Sequence, residues 1–155
     1  MNRVPVEDYA NIPAELKSLR CWCIAGPDKA PYYVNGGTVF SASSTDPRTW
    51  KSFDDTLIDM ATTGSPAMGF MLSFEAGLTC IDLDVKDADN EPNPAKWTKQ
   101  EDFDRFQKIL SVFDTYVERS VSGKGLHLWL FGRIGAGARR EFVEVYSQER
   151  FIICT

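Results

Sequence analysis

The sequence predicts an α+β fold, with helices packed on one face of a mainly antiparallel sheet. Short apolar segments recur along the chain, and many are joined by tight Gly, Pro or Asn turns, the pattern of hairpin-connected strands. Only two stretches place apolar residues three and four apart for long enough to make a helix with a buried face. The 155 residues, 43% apolar and 25% charged, suit a single globular domain.

Taken in order, residues 20–25, 31–34 and 38–40 read as strands around Gly26-Pro27-Asp28 and Asn35-Gly36-Gly37. Asn-Gly between apolar strands is a strong hairpin signal. Thr45-Asp46-Pro47 opens a helix, with Asp46 as N-cap and Pro47 in the first turn. Trp50, Phe53, Leu57 and Met60 form its apolar face, and Gly64-Ser65-Pro66 stops it. Strands follow over 67–74 and 78–85, then a polar loop over 86–97. Thr98 and Glu101 fit a capping box ahead of a helix that buries Phe103, Phe106, Leu110 and Phe113. Strands at 115–121 and 126–131 flank Ser122-Gly123-Lys124-Gly125. A Gly/Arg-rich loop over 132–140 leads to last strands at 142–146 and 150–154. A strand running to the final Thr155 reads as a fragment of a longer protein, or as a very compact one.

Composition removes several classes of function. No apolar run reaches the roughly 18 residues of a membrane span, and Met1–Asp8 lacks the apolar core of a secretory signal. The expected compartment is the cytoplasm. Cys21, Cys23, Cys80 and Cys154 do not form the two close pairs a structural zinc site needs, and they read as free thiols in apolar strands. The net charge of −5 argues against coating nucleic acid through bulk charge. The charge is uneven: residues 82–91 carry five acids and one Lys, whereas residues 115–150 carry six basic and four acidic groups.

Asp82 and Asp84 lie two apart on a strand, so both project from one face beside Cys80, while Thr79, Ile81, Leu83 and Val85 fill the other. Adjacent carboxylates repel unless a cation sits between them, and hard oxygen ligands favour Mg²⁺ or Mn²⁺; the competing reading is a strand end with chance acids. Neither register of this acidic run fits a calcium loop, because Lys86 or Pro92 falls at a required position. His127 is the single histidine, in Ser122-Gly123-Lys124-Gly125-Leu126-His127. The glycines permit a tight turn and close approach of a ligand to backbone N–H groups, and Ser122 and Lys124 suit phosphate oxygens. The block is not a Walker loop, since Gly125 and a strand follow the lysine. Read singly, it is equally a hairpin turn with an incidental histidine. Glu144, between Val143 and Val145, is either an outward residue or a third metal ligand, and Arg150 is either a surface arginine or a phosphate contact.

In combination these residues follow the order h-D-h-D, S-G-x-G-h-H, h-E-h. This order, carried by residues 80–84, 116–127 and 143–151 with the upstream run 45–53, resembles the catalytic core of the archaeo-eukaryotic primase superfamily, and most of all the bifunctional DNA primase-polymerase domain of phages and plasmids. The resemblance covers roughly residues 12–155. It implies an RRM-like catalytic sheet over 67–155 and a small N-terminal α/β unit over 1–66. It implies Asp82, Asp84 and Glu144 as catalytic carboxylates holding Mg²⁺ or Mn²⁺. Ser122, Gly123, Lys124, Gly125, His127 and Arg150 would form the nucleotide site. The implied activity is template-directed nucleotidyl transfer by a two-metal mechanism. The implied partners are nucleoside triphosphates, a single-stranded DNA template and a fused or associated helicase, in the cytoplasm of a phage-infected or plasmid-bearing cell.

Rival readings are weaker. A restriction-type nuclease wants D/E-x-K, and Tyr146 stands where the lysine belongs. A rolling-circle nicking enzyme needs two metal-binding histidines, and an RNA-binding RRM needs an aromatic signature that is absent. The alternative that survives is a non-catalytic module binding nucleotide or single-stranded nucleic acid, with Trp22, Trp50, Trp97 and Trp129 as possible stacking surfaces.

Overall fold

The computed structural model describes Met1 and residues 3–155; Asn2 lies outside the described residues. Its strands are β1 (Trp22–Ala25), β2 (Pro31–Asn35), β3 (Thr38–Ser41), β4 (Ala67–Leu72), β5 (Leu78–Leu83), β6 (Val117–Arg119), β7 (Leu126–Phe131), β8 (Ala138–Arg140), β9 (Val143–Tyr146) and β10 (Arg150–Ile153). The α-helices are α1 (Ala14–Lys17), α2 (Phe53–Thr63) and α3 (Gln100–Val112). The fold is α+β, as the sequence predicts, with its strands in two sheets where the residue pattern suggests one mainly antiparallel sheet and the family resemblance a catalytic sheet with a small N-terminal α/β unit. The first runs β10-β4-β1-β2-β3 and the second β6-β7-β5-β9-β8, with antiparallel neighbours throughout. The first sheet takes β4 and β10 from beyond residue 66. Sequence reading sees hairpins, and β10 reaches β4 across a separation of some 80 residues that no local signal encodes.

In the second sheet β5, α3 and β6 make a split β-α-β unit, with β7 antiparallel to both strands and lying between them. Alternation along β5 decides what each face meets. Ile81 and Leu83, with Leu128 of β7, form one core with Phe106 of α3, supported by Ile109, Leu110 and Phe113. Leu78 and Cys80, with Trp129, point the other way into the larger core of the first sheet. There Trp129 meets Phe70 of β4 edge to face at 5.5 Å, and Trp22 meets both Phe70 and Phe53 of α2. Asp82 and Asp84 continue the row of Leu78 and Cys80. The face shared between the sheets is thus apolar at one end and acidic at the other.

Several local expectations shift. Asp46 does cap a turn, accepting from the Arg48 N–H, but only a 3₁₀ turn over Pro47–Thr49. The chain then straightens, because Lys51 pairs with Trp22 through two backbone hydrogen bonds, and α2 starts afresh after the Ser52 cap. Trp50 is therefore buried outside the helix. The cap of α3 falls one residue later than Thr98–Glu101: Asp102 accepts from the Lys99 N–H, while Thr98 bonds back to Lys86. Phe103 is 39% exposed, and Ile109 takes its place on the buried face. The loop over 132–140 contains β8, a short and fully exposed edge strand. Residues 3–20, which carry no periodic signal, are pinned by buried Tyr9 and Leu16. The Tyr9 hydroxyl accepts from Met68 N–H, and Trp22 Nε1 donates to the Leu16 carbonyl. The hairpin β2–β3 turns through Gly36 and Gly37, both at positive φ, as Asn-Gly predicts. All four cysteines are buried and free.

Candidate functional site

Directly opposed residues of antiparallel strands share a face. The registers of the second sheet align Glu118 with His127, His127 with Asp82, Asp82 with Glu144 and Glu144 with Arg139. A row of five polar side chains therefore crosses the sheet from β6 to β8. It stands on the face turned toward the first sheet.

The row is compensated unevenly. Glu144 Oε1 accepts from Arg139 Nε at 3.0 Å, and its Oε2 meets the Tyr146 hydroxyl at 2.7 Å and Arg150 Nη2 at 3.4 Å. Arg150 also lies over the Tyr146 ring at 4.6 Å. Glu118 is buried and accepts from Trp129 Nε1, the Tyr116 hydroxyl and the Thr155 N–H, with His127 Nδ1 at 3.2 Å. Among the described residues, Asp82 has a single side-chain partner, His127 Nε2 at 3.8 Å. Burial raises the Asp82 carboxyl above the usual range; Asp84 and Glu144 add to this, and His127 and Arg150 oppose it. Asp84 pairs with Lys86 at 2.9 Å.

Between the acidic end of this face and the first sheet opens a cleft of about 650 Å³. Asp82, Asp84, Ser122, His127 and Arg150 all line it, together with Lys29, Ser44, Lys86, Asn90 and Ser120. Of the residues singled out in the sequence, these first five are brought together. Gly123, Lys124, Gly125 and Glu144 do not line the cleft. Lys124 turns instead to the loop over 86–97, where Nζ contacts both Asp87 oxygens at 2.6 and 2.7 Å and Asp89 at 2.7 Å. These contacts hold the Asp87 carboxyl below its ordinary range. Nor do the turn's N–H groups form a phosphate cradle. Gly123 N–H bonds the Ser120 carbonyl, Lys124 N–H the Ser122 hydroxyl and Gly125 N–H the Ser120 hydroxyl. Gly125 is required by close packing, since a Cβ there would lie 2.5 Å from the Leu83 carbonyl oxygen.

Sequence reasoning assigned no role to Glu118, Lys29, Lys86 or Asn90. Glu118 stands two residues before Ser120 in the same block, and pairing the two strands across the Ser122-Gly123 turn, which sets Glu118 opposite His127, was the available signal. Lys29 comes from the β1–β2 turn of the other sheet and carried no signal at all. Of the four tryptophans, Trp22, Trp50 and Trp129 are buried, which removes them as stacking surfaces; Trp97 is partly buried and donates to the Glu91 carbonyl.

Among the described residues, no group of three or more His, Cys, Asp or Glu side chains is arranged to hold a metal ion. The donor chemistry of the pair Asp82 and Asp84 nonetheless suits a hard divalent cation. Mg²⁺ is commonly held by one or two carboxylates, with water and substrate phosphate completing its shell. Glu144 fits less readily, because both its oxygens are already engaged.

No family model matches the chain. A DNA primase-polymerase of Nitratiruptor phage NrS-1 is 29% identical over 134 residues, which cover 82% of this chain and 17% of that protein. This supports a relationship to a phage primase-polymerase over most of the chain, and the chain spans 17% of that relative's length. No described helix is long and apolar enough to cross a membrane.

Proposed function

We propose that the chain forms the nucleotide-binding and catalytic core of a DNA primase-polymerase acting in phage or plasmid replication. It would join nucleoside triphosphates on a single-stranded DNA template, with a helicase as a fused or separate partner. The observation that carries this reading is the single cleft lined by Asp82, Asp84, Ser122, His127 and Arg150. The relationship to the phage enzyme supports it, as does the split β-α-β sheet, which is compatible with an RRM-like core. When bound, Mg²⁺ or Mn²⁺ on Asp82 and Asp84, with Glu144 as third carboxylate, would supply the positive charge that two-metal phosphoryl transfer uses. The chain's own groups bind and orient. Ser122 offers a hydroxyl to the triphosphate, and His127, as an imidazolium whose Nδ1–H is held by Glu118, donates from Nε2. Arg150, Lys29 and Lys86 surround it with cations. Arg139 and Arg150 hold Glu144 in register beside Asp82.

Calorimetric titration of a dNTP and an NTP, each with Mg²⁺ or Mn²⁺, tests the reading without a complete template channel. Metal-dependent binding weakened by Asp82→Ala and by His127→Ala is expected. Loss of a charge-assisted hydrogen bond at His127 would cost about 1–3 kcal/mol. Binding that ignores metal and both substitutions would favour a non-catalytic binding module, and absence of binding by folded wild type would defeat the proposal.

A further inference from the structure

Glu118 is a buried carboxylate with its acceptor capacity filled. An ionised carboxylate only accepts, with about four lone-pair directions over its two oxygens. Oε2 takes the Tyr116 hydroxyl at 3.2 Å and the Thr155 N–H at 3.0 Å. Oε1 takes Trp129 Nε1 at 3.1 Å and faces His127 Nδ1 at 3.2 Å. The indole N–H can only donate, and it fixes the orientation of Oε1. An unprotonated Nδ1 would turn a lone pair toward an anionic oxygen, so the contact is satisfied only when Nδ1 carries its proton. Which imidazole nitrogen is protonated is set by the partner of the other nitrogen. The ring is buried between β6 and β5, with Nδ1 facing Glu118 and Nε2 facing Asp82, which lines the cleft.

We infer that Glu118 is the positioning residue for His127: it holds the proton on Nδ1, locks the ring plane, and presents Nε2 to the cleft as the ring's ligand-facing atom. Trp129 shares the task by anchoring the same Glu118 oxygen. The consequence for nucleotide rests on the function proposed above, whereas the tautomer does not.

His127 is the sole histidine in the chain, so imidazole nitrogen NMR of the full chain reads it without assignment. In the ligand-free wild type, at a pH where the ring is neutral, Nδ1 is expected to be pyrrole-like and Nε2 pyridine-like. The opposite pattern, or a mixture, overturns the inference before any variant is made. Glu118→Gln keeps the shape and replaces one acceptor with a donor. The variant, checked for folding by its amide spectrum, should show a mixed or reversed tautomer; an unchanged Nδ1–H pattern would mean that Glu118 does not set it. If the wild type binds triphosphate, Glu118→Gln should raise its Kd about tenfold, in line with the lower end of the loss seen when a metal-ligating histidine loses its orienting partner. An unchanged Kd beside a changed tautomer overturns the positioning role. Absence of triphosphate binding by wild type overturns the proposed function alone, and the NMR result still decides the inference.

Discussion

Gly125 ties the stability of the second sheet to the geometry of the cleft, so Gly125→Ala is an informative perturbation. Its φ is not positive, and what excludes a side chain is contact. An added Cβ would lie 2.5 Å from the Leu83 carbonyl oxygen and 3.1 Å from the Ser120 hydroxyl, where ordinary contact begins at 3.4 Å. To move from 2.5 to 3.4 Å the start of β7 must retreat by about 0.9 Å from the end of β5. Leu83 pairs with Leu126 there, and the next pair is Asp82 with His127. Overpacking of this kind costs about 1–3 kcal/mol. At about 2–4 °C per kcal/mol for a domain of this size, the melting temperature should fall by roughly 2–12 °C. A shift approaching 1 Å at a site can cost on the order of 100-fold in activity, and a clear loss of nucleotide affinity is expected beside the thermal effect. Gly123→Ala is the control: its φ is +76° with open space around it. It should cost about 1–2 kcal/mol through left-handed backbone strain and leave the ladder in place. Thermal unfolding and nucleotide calorimetry on both variants decide the matter. A Gly125→Ala protein as stable and as tight-binding as wild type would refute the packing argument.

Three further substitutions probe separate parts of the molecule. Because Asp82 titrates above the ordinary carboxylate range, chiefly through burial, the folded chain holds that proton when the unfolded chain has lost it. Stability falls as pH rises from about 4 through the raised value, and the penalty persists above it. Asp82→Asn should therefore be more stable than wild type in urea at pH 7, with the gap closing below about pH 4; a less stable variant at pH 7 would count against a crowded, desolvated carboxylate. Phe106→Ala empties the centre of the α3 core, where Phe106 is 5% exposed, and should cost about 3–5 kcal/mol in denaturant unfolding; a loss under about 1 kcal/mol would mean that α3 is not held by that face. Lys124→Ala removes the cation that ties Asp87 and Asp89 to the β6–β7 turn, so limited proteolysis should cut within 86–97 faster than in wild type, and an unchanged rate would show that the clamp does not order the loop.

The site was legible where its signals are local and periodic. Counting by two along 78–84 separates Ile81 and Leu83 from Asp82 and Asp84, and counting by two from Leu126 separates His127 and Trp129 from Leu128. Both separations hold, because α3 covers one face of the sheet and the first sheet faces the other. What stayed hidden depends on contacts far apart in sequence. The Lys51 bridge that splits the helix after Asp46, the return of β10 to β4, and Lys29 entering the cleft from another sheet leave no trace in local spacing. Lys124 illustrates a second limit. Its place in a glycine turn suited a phosphate, but the acidic loop 37 residues earlier is close enough to engage it. Residue type alone cannot rank one anion above another.

The row from Glu118 to Arg139 also shows why Asp82 stands apart from the other carboxylates. Folded chains rarely leave buried charge without partners, since an uncompensated one costs more than most contacts return. Glu118 meets that requirement with its full set of donors, and Glu144 meets it with two arginines and a tyrosine. Asp82, half-buried on the same face beside Glu144, has among the described residues a histidine nitrogen at 3.8 Å and the nearby Arg150 as favourable charges, with two carboxylates crowding it. Rotating Asp82 away is not open to the strand, because its neighbours Ile81 and Leu83 commit the alternation to the α3 core. The apolar half of β5 thereby holds an acidic side chain in an unfavourable field at the mouth of a cleft. A carboxylate raised by burial and by neighbouring charges, inside a cleft, is a candidate functional group. On the function proposed above, Asp82 is the carboxylate of the row whose charge the bound cation would balance.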